Sequence, residues 1–229
     1  GNHFMHVLRR NMDINILMFN NRIYGLTKGQ YSPTSEQGKK TKASPYGSID
    51  YPLNPPSLAL GAQATFVART IDRWQKHMAA MLERSYNHDG GSYIEIYQNC
   101  NIFNDGAFEE YTGAEKFSNV IELKHGEPMV FAQGTKGIKL DGFKPKVVDM
   151  EKNSIDDILI HNETDLDLAH IIANWTSHPT LPEPIGVIYC IDKTTYNQDI
   201  VNQIESAIEA KGPGNVQDLL NSGDTWVVD

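Results

Sequence analysis

Two side-chain amides, Asn20 and Asn21, open the run Arg22-Ile23-Tyr24-Gly25-Leu26-Thr27-Lys28-Gly29-Gln30. An Asn amide presents a neutral oxygen of the kind a hard divalent cation takes. Glycines at 25 and 29 allow backbone amides and carbonyls to approach a diphosphate closely. The same residues also make an ordinary strand-to-loop turn, because Asn and Gly favour turns for local reasons. Residue types alone leave both readings open, and they leave Lys28 as either a solvated loop cation or an anion partner. His3 and His6, three apart, could share one helical face, but no Cys or carboxylate beside them completes a metal set. One of them lining a cofactor pocket at a helix N-terminus, which favours anions, is the better reading. Cys100 taken singly reads as a small buried hydrophobe, and Cys190, inside an apolar strand, as core.

Those residues need elements to carry them. Asn2 is a candidate cap for a first helix running to about Asn11, with Phe4, Val7 and Leu8 on one face. Ile14 to Phe19 is an apolar, β-branched run that reads as a buried central strand, delivering the Asn pair to its carboxyl end. In open α/β sheets that end is where ligands bind. Residues 31–56 are rich in Pro, Ser, Gly, Lys and Tyr. A loop of that length in a compact domain is functional or an interface segment. Within it Lys39, Lys40 and Lys42 read as a solvated basic cluster. A helix over Ser57–Ala64, a strand over Thr65–Thr70, a helix capped by Asp72 and running to about Asn87, and a strand over Ser92–Gln98 follow. The Trp74, His77, Met78, Met81 and Leu82 stripe reads as core packing. Alternating helices and strands predict a parallel α/β sheet with right-handed crossovers.

After Cys100 the texture changes. Asn104-Asp105-Gly106 is a turn, and Gly134–Gly142 a turn-rich hairpin. A short helix at Asp165–Trp175, a strand at Ile185–Ile191 and a helix at Gln198–Lys211 closed by Gly212 complete the chain. The expected organisation is a main domain over 1–112 and a C-terminal α+β extension over 113–229 wrapping it.

The string NNRIYGLTKGQ, continuing into YSPTS, resembles the β subunit of the 2-oxoacid:ferredoxin oxidoreductases, specifically the 2-oxoglutarate branch. GNHFMHVLRRN, SPYGSIDYPLNPPSLALGAQATFVART and IEIYQNCNIFNDGAFE carry the same resemblance, which is specific through about the first half of the chain and weaker afterwards. It implies a partial thiamine diphosphate-binding domain, with Asn21 and the Ile23 carbonyl as Mg2+ ligands and Asn20 as the alternative. Tyr24, Gly25, Leu26 and Thr27 then lie along the cofactor, and Leu26 and Lys28 recognise the distal part of the 2-oxo acid. An ammonium at Lys28 suits the second carboxylate of 2-oxoglutarate, which pyruvate lacks. Cys100 becomes the last of four thiolates on a 4Fe–4S cluster. The family's Gly-Asp-Gly motif, which supplies the Asp ligand, and its other three cysteines would precede Gly1, so the chain is expected to be N-terminally truncated.

The resemblance further implies conversion of 2-oxoglutarate to succinyl-CoA, with coenzyme A as co-substrate and electrons passing through the cluster to ferredoxin. The activating Glu belongs to the α subunit, so no catalytic base is assigned here and an αβ heterodimer is expected. Composition agrees with an ordinary globular domain: 40% hydrophobic and 21% charged residues. The net charge of −9 opposes general binding to nucleic acid or anionic membranes. Two cysteines exclude a disulfide framework and fit a reducing cytoplasm. No apolar run approaches a bilayer span, and no stretch reads as a secretory leader. No GxGxxG follows a strand, which disfavours a nicotinamide domain. The alternatives are a pyruvate or branched-chain 2-oxoacid enzyme of the same family, or a non-catalytic α/β assembly subunit.

Overall fold

The computed structural model describes residues 1–226 and 228. Helix α1 (Asn2–Arg9) leads into β1 (Ile14–Asn20), and a long coil then reaches α2 (Pro55–Gly61), β2 (Phe66–Ile71), α3 (Gln75–Tyr86) and β3 (Gly91–Tyr97). Short helices α4 (Glu109–Thr112) and α5 (Lys116–Asn119) precede β4 (Val120–Leu123), β5 (Val130–Phe131), β6 (Lys136–Asp141) and β7 (Lys144–Asp149). Helix α6 (Leu166–Asn174), β8 (Glu183–Cys190), α7 (Tyr196–Lys211) and α8 (Val216–Leu220) follow.

The main sheet has the order β1-β3-β2-β8-β4. β1 and β2 both pair with β3 in parallel, and β4 pairs with β8 in parallel, while β8 runs antiparallel to β2. The expected parallel α/β unit is therefore present, inside a mixed sheet. The texture change near residue 112 falls within this sheet, since β4 and β8 lie after it. β5, β6 and β7 form a separate three-stranded sheet. Its β6–β7 hairpin turns on Gly142 at φ 60, a first loop position that glycine fills without strain.

β2, β3 and all but the last residue of β8 are buried, as expected of strands covered on both faces. Alternation sorts their side chains. Val67 and Tyr93 join Leu8, Leu60, Ile172 and Ile188 on one side, under α1, α2 and α6. Phe66, Ala68, Ile94 and Ile96 meet Met81 of α3 on the other. At Gly186, φ is 112 and the Leu123 carbonyl lies 2.8 Å from where a Cβ would stand, so the β4–β8 approach requires glycine there.

Four sequence expectations are corrected. β1 is an edge strand, with Phe19 56% exposed and Ile14 and Leu17 also open. Apolar content marks a strand that can be buried, but the pairing decides whether it is. Asn2 lies inside α1, whose cap position is Gly1 and carries no side-chain cap bond. Asp72 does not cap α3, which starts after Trp74; its Oδ2 accepts from the Asn99 amide instead. Lys39 is not free in solvent, because its Nζ donates to Asn104 Oδ1 and pairs with Glu36. The Met78, Met81 and Leu82 stripe does pack on the sheet. α7 keeps a capping box at Thr195 and Gln198, yet none of its residues is buried. Among the described residues no helix is long and apolar enough to cross a membrane.

Candidate functional site: the turn after β1

The side chain of Asn20 is buried and fully used. Its Nδ2 donates to Glu95 Oε1 at 2.8 Å, while its Oδ1 accepts from Thr34 Oγ1 at 2.7 Å and from the Arg22 amide at 3.2 Å. Asn20 thus fixes the end of β1 and has no oxygen left for a cation. Asn21, half-buried, is different: its Oδ1 meets the Ile23 amide only at 3.3 Å. Neither its Nδ2 nor the carbonyl of the buried Ile23 has a hydrogen-bond partner among the described residues. A neutral amide oxygen and an unclaimed carbonyl two residues on form a donor pair that suits Mg2+.

Arg22 sits between them at φ 54, a left-handed conformation that costs a non-glycine residue energy. Its carbonyl accepts from Ser35 Oγ, and its guanidinium lies 4.5 Å from the Phe108 ring centroid and donates to Ser177 Oγ. The chain then reverses. Tyr24 and Gln30 pair as an isolated antiparallel bridge, with the Lys28 amide bonded to the Gly25 carbonyl. Lys28 itself is left-handed, φ 69, and Gly29 follows at φ 97, buried beneath Phe103. The tip is open: Leu26 is 99% exposed, and Thr27 and Lys28 are exposed too. Lys28 makes no ion pair among the described residues.

Two hollows flank the turn. One, of about 250 Å3, is lined by Asn20, Arg22, Thr34, Glu95, Tyr97 and Thr176. The other is an open groove along Tyr24, Gln30, Tyr31, Tyr51 and Leu53, where Gln30 Oε1 is buried without a partner. His3 and His6 are exposed on α1 and line neither hollow. No three His, Cys, Asp or Glu residues placed to share a metal occur among the described residues.

Cys100 is half-buried at a bridge with Asn104 and is a free thiol. Cys190, also free, ends β8 against the α3 side of the core, where burial pushes its thiol up.

Beneath the turn lies a buried charge network that the sequence reading passed over. Arg69 and Glu95 are directly opposed on β2 and β3. Arg69 Nε reaches Glu95 Oε2 at 2.8 Å and Nη1 reaches Glu183 Oε1 at 2.6 Å, all three side chains being essentially inaccessible. Nη2 donates to Thr176 Oγ1, and Glu183 also accepts from Tyr97, Tyr111 and the Ser177 amide. Burial pushes the Tyr97 and Tyr111 phenols well up, so both are donors at any working pH. The signal was present in the sequence: a single charge within each apolar run, Glu95 in SYIEIYQ and Arg69 in TFVART, demands a buried partner.

Residues 1–96 match the thiamine pyrophosphate enzymes' C-terminal TPP binding domain. Over its whole length the chain is 44% identical to the 2-oxoglutarate oxidoreductase subunit KorB of Mycobacterium tuberculosis, of which it spans 63%. It is 42% identical over 103 residues to a 2-oxoacid:ferredoxin oxidoreductase β subunit of Aeropyrum pernix, 45% of this chain and 32% of that one. It is 39% identical over 100 residues to the 2-oxoglutarate synthase subunit KorB of Archaeoglobus fulgidus, 44% of this chain and 38% of that one. The resemblance carried by the turn is thus borne out, and against the mycobacterial relative it extends to the second half as well. A 2-oxoglutarate:ferredoxin oxidoreductase from Magnetococcus marinus, solved with 2-oxoglutarate, coenzyme A and succinyl-CoA bound, shares the fold. The TM-score is 0.71 over 98% of this chain and 63% of that one, at 23% identity.

Proposed function

We propose that the chain is part of the β subunit of a thiamine diphosphate-dependent 2-oxoglutarate:ferredoxin oxidoreductase. The reaction cleaves the carboxylate of 2-oxoglutarate as CO2, transfers the succinyl group to coenzyme A, and passes two electrons through a 4Fe–4S cluster to ferredoxin. The observation that carries this reading is the Asn21–Lys28 turn, which lies in the stretch matched by the thiamine pyrophosphate family, leaves the Ile23 carbonyl unclaimed and engages Asn21 Oδ1 only with the Ile23 amide at 3.3 Å.

In this reading Asn21 Oδ1 and the Ile23 carbonyl hold the Mg2+ of the cofactor diphosphate, and Tyr24 and Gly25 line the backbone beside it. Bound thiamine diphosphate supplies the electron sink for loss of CO2. Leu26 and Thr27, at the open tip, cover the reacting end and exclude water. Lys28 directs its ammonium at the distal carboxylate of the substrate. Cys100 provides one of the four thiolates that a 4Fe–4S cluster takes. No residue here serves as the base that activates the cofactor; that group comes from an α-subunit partner across a shared site.

The test uses the complete subunit with its partner under anaerobic conditions, following coenzyme A-dependent reduction of a viologen dye. Wild type should prefer 2-oxoglutarate. Lys28→Ala should lose about tenfold or more in kcat/KM for 2-oxoglutarate, the scale of one charge-assisted hydrogen bond, and little for pyruvate. Activity with pyruvate alone would overturn the substrate and keep the enzyme class. No turnover of any 2-oxo acid despite bound cofactor would favour an assembly subunit.

A further inference from the structure

Three loops meet at one side chain, that of Asn104. It is 7% exposed although its neighbours Ile102 and Phe103 are open. Its Nδ2 donates to the Asn21 carbonyl at 2.9 Å, and its Oδ1 accepts from Lys39 Nζ at 2.6 Å. Lys39 is in turn held by Glu36 at 2.9 Å. The Asn104 backbone closes the Cys100 turn, its amide bonding the Cys100 carbonyl at 3.0 Å. Phe103, next in the chain, places a ring carbon 3.1 Å from where a Cβ of Gly29 would stand.

The peptide that Asn104 grips is the one between Asn21 and Arg22. That peptide sets the direction of the Asn21 side chain on one side and of the Ile23 carbonyl on the other, through the left-handed Arg22. A strained residue relaxes unless its surroundings hold it. Asn20 holds the Arg22 amide and Ser35 holds the Arg22 carbonyl, so Asn104 supplies the remaining anchor. Lys39 polarises the Asn104 amide, which strengthens the bond that amide donates.

Resting on the thiamine diphosphate reading, we propose that Asn104 is a positioning residue for the Mg2+ site, oriented by Lys39 and joining the Cys100 loop to the Asn21–Ile23 turn. It touches neither substrate nor cofactor; it fixes the angle at which the Asn21 and Ile23 oxygens face the cation. The donated bond and the accepted bond can be separated. Asn104→Asp keeps an oxygen for Lys39 but cannot donate to the Asn21 carbonyl. Lys39→Gln keeps a donor of neutral charge.

The experiment measures thiamine diphosphate binding to the complete subunit with its partner, by tryptophan fluorescence across a Mg2+ titration, together with the melting temperature of the cofactor-free protein. Asn104→Asp should bind cofactor about tenfold more weakly and need more Mg2+, the size expected for one hydrogen bond left unmade. Its cofactor-free melting temperature should fall by no more than about 2 to 4 °C, the cost of one hydrogen bond lost from the cofactor-free fold. Lys39→Gln should show a smaller loss in the same direction, and Lys40→Gln none. Equal binding by Asn104→Asp and wild type would overturn the proposal, as would a loss of affinity that saturating Mg2+ leaves unchanged, which marks a structural role alone. A wild type that binds no thiamine diphosphate would overturn the functional reading itself.

Discussion

The Arg69 network and the Asn21–Lys28 turn are the two polar regions around the carboxyl end of β1, and they are built in opposite ways. In the network each carboxylate answers to donors within the protein: one guanidinium, two phenols, one amide of Asn20 and one backbone N–H bond two carboxylates. In the turn, donors and acceptors are left over: the Asn21 Nδ2, the Ile23 carbonyl, Gln30 Oε1 and the Lys28 ammonium. A closed polar cluster holds structure, whereas an open one on a rigid base is disposed to bind. Asn20 marks the boundary, since its amide belongs to the network while the next residue faces outward.

The largest expected effect breaks the closed side. Arg69→Met removes the cation between two buried carboxylates and should cost about 3 to 5 kcal/mol in urea unfolding, because Glu95 and Glu183 are left uncompensated. A loss below about 1 kcal/mol would show that the carboxylates take up protons or water and that the cluster is less closed than its geometry.

At the boundary, Thr34→Val removes the 2.7 Å bond to Asn20 Oδ1. The expected loss is about 1 kcal/mol, since the Arg22 amide still serves that oxygen. Cofactor affinity should fall with it if Asn20 carries the turn.

A pH series sharpens the comparison, because two buried histidines and one half-buried one lie outside the turn. Burial lowers His77, His88 and His161 from the usual 6.5. The unfolded chain therefore takes up protons first as pH falls. The stability they contribute is fully present above about pH 6.5 and is lost below it, as pH falls towards their folded-state pKa values. Melting temperature should decline from pH 6.5 downward, and His161→Gln should flatten the decline. The exposed turn should contribute no such slope.

The smallest expected effect is at the tip. Leu26→Ser should leave stability within about 0.5 kcal/mol of wild type, since the side chain is 99% exposed. If the chain acts on a 2-oxo acid as proposed, any change in KM would then belong to binding alone.

Much of the first half was legible in the sequence. β2 and β3 announced themselves as β-branched apolar runs, and the α3 stripe as one helical face. The turn was legible through its own residue string. What escaped were partners distant in sequence: Glu183 lies 114 positions from Arg69, and Asn104 lies 83 from Asn21. Helix starts at Asn2 and Asp72 were misplaced because a capping residue is only a candidate until the backbone beside it turns.

The sequence by itself determined the local chemistry: amides at 20 and 21, glycines at 25 and 29, a lysine between them, and the alternation that makes strands. Only the tertiary structure decided which of the two amides is consumed and which is open. That choice depends on Glu95 of β3 and Thr34 of the coil reaching Asn20, while Asn104 reaches the backbone of Asn21 and leaves its side chain alone. Hydrogen-bond satisfaction is a property of neighbours in space, and no pattern of residue types along one strand can state it.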